Sequence, residues 1–247
     1  APHAPYEAKE EDLQKYPLLT GDRRTYAAMV DSMDQAIGRI LVAVEARTDA
    51  ANTLVLFFSD NGGILNVGSS NGPYRGAKLT VYEGGTREPC VVVWPGVAKP
   101  GAVTDSIIQS TDFFPTFVEM LKLSLPAAHT FDGKSFAPAL RGAAHDRGPT
   151  FCHFPHTTPA SGGLASTWVR VGDWKLIEWL EDNRVELFNL AADLGEKADV
   201  ASREPARVAS LRAELHAWQR DVGAKFPIPN PAYDPAKPSG RRADRKQ

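Results

Sequence analysis

Asp60 and Asn61 stand between the apolar run Leu54-Val-Leu-Phe-Phe58 and the pair Gly62-Gly63. A carboxylate beside a neutral amide oxygen offers two hard donors, the ligand type that Ca²⁺ and Mg²⁺ prefer. Asp-Asn-Gly after a strand is also an ordinary turn, with both side chains bonded to their own backbone. Short motifs often occur without their chemistry, so the tripeptide alone favours the turn. Lys78 follows, in Ser70-Asn-Gly-Pro-Tyr-Arg-Gly-Ala-Lys78. Its ammonium can meet an anionic oxygen, although most lysines are simply solvated. His3 lies between Pro2 and Pro5, where a lone histidine is usually just an exposed chain end. Arg75 and Arg87 are near Lys78 in sequence, and a guanidinium can hold an oxyanion at two points. Arg87 and Glu83 are read instead as braces of the loop.

These residues need a scaffold. Residues 54–58 read as a strand buried on both faces, as in a parallel α/β sheet. Asp60 and Asn61 then fall at its carboxyl end, where open α/β sheets bind ligands. Before it, residues 20–47 read as an amphipathic helix, with Tyr26, Met29, Val30, Met33, Ile37, Ile40, Leu41 and Val44 on one face. Thr20 or Asp22 caps its start. Asp31 and Asp34 are read as solvated or paired with arginines. The Gly-rich stretch 64–77 suits an anion at its backbone N–H groups, but it has no P-loop pattern. A second apolar strand follows at 90–94, with Cys90 as a small core residue. A strand-like piece is expected from 104, then a helix from Thr111-Asp112, with Pro115 in its first turns and Phe113, Phe114 and Phe117 on its packed face.

The texture changes near residue 147. Short strands are expected at 149–154, 167–171, 174–179 and 185–188, with Gly172-Asp173 as a hairpin turn. A helix at 205–221 carries Val208, Leu211, Leu215 and Trp218 on one face. His153 and His156 fall on a strand and a loop, not on a helix face, so they are not read as a zinc pair. The tail from 224 is rich in proline and basic residues and is expected to be extended.

A net charge of −2 over 247 residues gives no reason to expect nucleic acid. No apolar run has the length of a membrane span. Neither cysteine has CxxC spacing.

Taken in order, Ser59-Asp-Asn-Gly62, Gly76-Ala-Lys78, Tyr82-Glu-Gly-Gly-Thr-Arg-Glu-Pro89 and the strand ending in Trp94-Pro-Gly96 resemble the sulfatase family of the alkaline phosphatase superfamily. The similarity is greatest to the N-acetylgalactosamine-6-sulfatase and arylsulfatase A type, and to their C-terminal half. Phe131-Asp-Gly-Lys-Ser-Phe136, Glu186-Leu-Phe-Asn-Leu190 and Asp193-Leu-Gly-Glu196 match later landmarks. The resemblance implies an α/β fold, a layered sheet flanked by helices and here incomplete, followed by a small α+β subdomain. It divides the chain into 1–146, 147–223 and a tail 224–247. It implies Asp60 and Asn61 as calcium ligands (magnesium being the alternative), Lys78 on a sulfate oxygen, and His3 on the bridging oxygen. It also implies a formylglycine nucleophile made in Cys-x-Pro-x-Arg. Cys90 precedes Val-Val-Val-Trp and Cys152 precedes His-Phe-Pro-His, so neither fits that pattern.

The expected partners are a small-molecule or carbohydrate sulfate ester and the N-terminal half of the catalytic domain, without which an apolar sheet face stays open. Such enzymes are mostly periplasmic, secreted or lysosomal. Two alternatives stand beside this reading. One is a phosphatase or phosphodiesterase of the same superfamily with two zinc ions, which Asn61 disfavours because Asn is a poor zinc ligand. The other is a catalytically inactive, truncated scaffold.

Overall fold

The structure is a computed structural model that describes residues 2–65, 68–126, 128–157, 164–228 and 231. The tail expected beyond 224 lies outside the described residues from 232 onward. Helix α1 (Glu10–Leu13) packs on the long helix α2 (Gly21–Glu45). Polar side chains join them. Buried Asp12 accepts hydrogen bonds from Lys15 at 2.9 Å and Gln35 at 2.9 Å. Asp31 is bound by Lys15 and by the Tyr16 hydroxyl at 3.2 Å, so its cation is a lysine and not an arginine. Thr20 is the N-cap residue of α2, but its side chain makes no capping bond. The apolar stripe of α2 is only partly covered. Ala28 alone is buried, while Ile40 and Val42 are exposed.

Strand β1 (Val55–Phe58) pairs with β2 (Cys90–Val93) in antiparallel register, Val55 opposite Val93 and Phe58 opposite Cys90. Between them comes the short helix α3 (Glu83–Thr86). The two-faced burial expected of a parallel strand is therefore corrected. Among the described residues each strand has one neighbour, and a ribbon of two strands cannot enclose its own faces. Phe57, Phe58, Val91 and Val93 remain exposed, and so does Cys90, which is not a core residue. One contact helps on the β1 side: Phe113 stacks obliquely on Phe58, with centroids 4.9 Å apart.

Helix α4 (Phe113–Met120) follows a 3-10 turn at Ser110–Asp112. The strand-like piece expected from 104 has no strand partner. Buried Asp112 closes this corner, bonding Arg147 at 2.7 Å and the Lys134 N–H at 2.8 Å. Helix α5 (Ala137–Leu140) is a single turn.

Strands β3 (Thr150–Phe154), β4 (Ser166–Val171), β5 (Trp174–Trp179) and β6 (Val185–Asn189) form an antiparallel meander in chain order. Val171 pairs with Trp174 across the hairpin, and Gly172 takes the positive φ of +56° that a Cβ would oppose. Side chains alternate between the faces. Val169, Leu176 and Leu187 pack under Leu211 and Leu215 of helix α6 (Pro205–Asp221). Trp168, Ile177, Trp179 and Phe188 form the other face, and Val81, from the segment after Lys78, is buried among them. Leu215→Ala removes a fully buried side chain from the α6 seam. It is expected to cost about 2–5 kcal/mol, read as a lower denaturant midpoint.

Candidate active site

Three short segments meet at the carboxyl end of β1: the turn around Asp60, the loop bearing Lys78, and α3. Their backbones are bonded directly. Gly62 N–H donates to Gly85 O at 3.3 Å, Lys78 N–H to Gly63 O at 3.2 Å, and Gly84 N–H to Arg75 O at 2.7 Å. The approach is too close for side chains. A Cβ on Gly62 would lie 1.9 Å from Gly84 O, and one on Gly84 would lie 2.6 Å from both Arg75 O and Gly76 O. Asn71 pins the assembly from one side. Its Oδ1 accepts from Gly63 N–H at 2.9 Å, while its Nδ2 donates to Gly63 O at 2.9 Å and Gly76 O at 3.1 Å.

Lys78 Nζ lies 3.1 Å from His3 Nε2. His3 Nδ1 lies 3.0 Å from Ala4 O, a carbonyl, so Nδ1 carries the proton and Nε2 accepts from the ammonium. The two residues expected to face sulfate are thus neighbours, though 75 positions apart in the chain. The next residue, Leu79, holds φ at +72°, a left-handed conformation rare for a bulky side chain.

Asp60 is exposed and Asn61 half-buried. Asn61 Nδ2 donates to Gly62 O at 3.0 Å, and Ser59 Oγ donates to Asn61 O at 3.1 Å. The local turn and the donor reading are therefore compatible: the amide nitrogen serves the turn, and the amide oxygen has no bond among the described residues. No group of three or more His, Cys, Asp or Glu side chains gathers to hold a metal among those residues. Two oxygen donors fit a hard cation in kind, but Ca²⁺ takes about six to eight oxygens, so they form part of a shell. Glu88 adds a second carboxyl nearby. Burial pushes it up to about 7, and the Asp60 charge adds to that. Its Oε1 is buried without a partner among the described residues.

Behind α3 lies a buried group of charges. Glu83 is paired with Lys175 at 2.8 Å, Arg170 at 3.3 Å and Arg87 at 3.8 Å. Arg87 and Glu83 are thus braces, as their sequence suggests. Arg75 stacks on the Tyr82 ring at 3.8 Å and donates to Glu196 O at 2.8 Å. Burial and the neighbouring Glu186 carboxylate raise the Tyr82 phenol well above its ordinary range. His153 bonds Lys225 O at 2.7 Å through Nε2.

Sequence reasoning missed Asn71, Glu88, Lys175 and Glu196. Lys175 did leave a signal. Two-residue alternation sets it on the face of Ile177 and Trp179, a core face where an amine needs a partner.

The α/β fold is alkaline-phosphatase-like, the class to which sulfatases belong. The sequence model of the family described as Sulfatase matches residues 1–123, and that described as N-sulphoglucosamine sulphohydrolase, C-terminal matches residues 76–222. The chain belongs to the sulfatase family. A sulfatase from Formosa agariphila is 36% identical over 216 residues, which is 78% of this chain and 39% of that protein. The N-acetylgalactosamine-6-sulfatase of Canis lupus familiaris is 30% identical over 235 residues, 92% of this chain and 42% of that protein. The crystal structure of Ps i-CgsB in complex with k-i-k-neocarrahexaose superposes with a TM-score of 0.81 at 30% identity, covering 92% of this chain and 50% of that one. The chain spans about two fifths of the length of these curated relatives. No described helix is long and apolar enough to cross a membrane.

Proposed function

We propose that the chain supplies the C-terminal part of a sulfatase that hydrolyses the sulfate ester of a sulfated sugar. The observation that carries this is the His3–Lys78 contact, fixed by the Lys78 backbone bond to the Asp60 turn. A sulfate ester is an anion, and its bridging oxygen gains charge as the S–O bond breaks. Fixed cationic donors aimed at that charge lower the barrier. Lys78 holds a non-bridging sulfate oxygen through its ammonium. His3 serves the bridging oxygen as hydrogen-bond donor or general acid as the sugar leaves. Asp60 and Asn61 would hold calcium, which would supply further positive charge. A sulfated sugar is favoured because one relative is named for N-acetylgalactosamine 6-sulfate and another holds a carrahexaose.

The nucleophile is a formylglycine from a Cys-x-Pro-x-Arg segment, which neither Cys90 nor Cys152 provides. The 247-residue chain alone is therefore expected to release no nitrophenol from p-nitrophenyl sulfate, and to do so when paired with a family segment that carries formylglycine. Chelation of the active pairing is expected to abolish turnover, and calcium to restore it. Turnover that survives chelation would remove the metal from the reading. Two equivalents of zinc in the active preparation, with phosphate esters as the better substrates, would place the chain with the phosphatases.

A further inference from the structure

Short, glycine-rich backbone with little stiffness of its own joins the Asp60 turn to the Lys78 loop, and the Asn71 side chain ties Gly63 to Gly76 across them. Both are anchored in turn to a stiffer neighbour. The rigid body next to them is the four-stranded sheet, and one buried cation joins the two. Lys175, on β5, is fully buried. Its Nζ lies 2.8 Å from Glu83 Oε1 and 3.1 Å from Glu196 Oε1, and 5.3 Å above the centre of the Trp168 ring. Glu196 Oε2 in turn accepts the backbone N–H of Glu83 at 2.6 Å. Glu83 is thus gripped twice, by its side chain and by its backbone. Gly84 and Gly85, the residues bonded to the Lys78 loop and to the Asp60 turn, follow it directly.

Glu196 is shaped for this grip. It holds φ at +50°, and its carbonyl accepts from Arg75, whose own carbonyl receives Gly84 N–H. The loop that carries Glu196 therefore holds both ends of the Arg75–Gly84 link. A left-handed backbone at a residue with no glycine's freedom persists only where its surroundings over-determine it. A buried lysine shared by two carboxylates is likewise tolerated only in a fixed geometry.

We propose that Glu196 and Lys175 are positioning residues of the sulfatase site: through Glu83 they set the distance between the Asp60–Asn61 turn and the Lys78 ammonium. This rests on the function proposed above. It makes the small antiparallel subdomain the frame against which the sulfate-binding amine is placed.

Glu196→Gln tests it. The amide keeps the shape and the bond to the Glu83 N–H, and removes the charge facing Lys175. In the 247-residue chain, hydrogen exchange is expected to quicken at least about tenfold at 60–63 and 76–85. The amides of β4, β5 and β6 keep their protection. Exchange that rises only around 193–200, or equally throughout, overturns the proposal.

In a preparation that turns over a sulfate ester, kcat per active molecule is expected to fall about 10- to 100-fold, because small misplacements of a reacting group are costly. An unchanged kcat per active molecule also overturns it, since a purely structural role changes only how many molecules are active. Should Glu196→Gln fail to fold, Arg75→Gln removes the outer link from a half-exposed position and is expected to show the same pattern more weakly. Its absence there overturns the proposal equally. Loosened segments with no sulfate-ester turnover in any preparation would instead sink the sulfatase reading and leave the clamp standing.

Discussion

Replacing Lys78 with methionine in the active pairing is expected to lower kcat for a sulfate ester by about 10²–10³-fold, the range for losing one donor that stabilises transition-state charge. Methionine has about the length of the lysine stem, so the loop keeps its packing and the charge alone is lost. The loop is held by backbone bonds that the change leaves alone: Lys78 N–H to Gly63 O, Thr80 N–H to Ala77 O and Gly84 N–H to Arg75 O. The melting curve should therefore move little while turnover collapses. His3 loses its ammonium neighbour at the same time. A variant that retains most of its rate would show that the amine faces His3 without facing substrate.

Gly62→Ala is expected to be the more damaging change to the fold of the site. The new methyl would meet Gly84 O at 1.9 Å and Gly84 C at 2.9 Å, both backbone atoms. No rotamer can relieve such a clash, because neither partner is a side chain. Either α3 retreats and the Gly62–Gly85 bond breaks, or the turn rotates and carries Asp60 and Asn61 away. Overpacking of side chains costs roughly 1–3 kcal/mol, and a backbone clash belongs at or above the top of that range. The expected result is a lower denaturant midpoint together with loss of protection at 60–63. Gly63→Ala gives a contrast, since its Cβ would meet side-chain atoms, Ser69 Oγ at 2.5 Å and Ser69 Cβ at 2.8 Å, in place of a carbonyl oxygen at 1.9 Å. It should be milder. Equal stability of Gly62→Ala and the parent would mean that these segments are looser than their hydrogen bonds imply.

Much of this arrangement is legible in the chain. Asp60, Asn61, Lys78 and His3 belong to ordered motifs, and the structure brings His3 to Lys78 and the Lys78 loop to the Asp60 turn. The meander was readable because the short runs are separated by turn residues and Gly172-Asp173 marks a hairpin. The burial of β1 was not. Residues 54–58 are apolar enough to be covered, but coverage is decided by neighbours, and among the described residues β1 has one strand neighbour, β2. Cys90 failed for the same reason. Asn71 was hidden because an asparagine in a polar loop has many ordinary roles. Lys175 and Glu196 were hidden because their partner, Glu83, is about a hundred positions away and looked like a loop brace with local work only.

Leu79 bears on how the amine is kept in aim. It sits just after the amine, with φ at +72° and 38% of its surface exposed. A glycine there would relax the backbone by about 1 kcal/mol. It would also give up the packing of the covered part of the leucine and free the peptide beside the ammonium. The leucine accepts a strained backbone in exchange for a stiff link at the point where the charge must be directed.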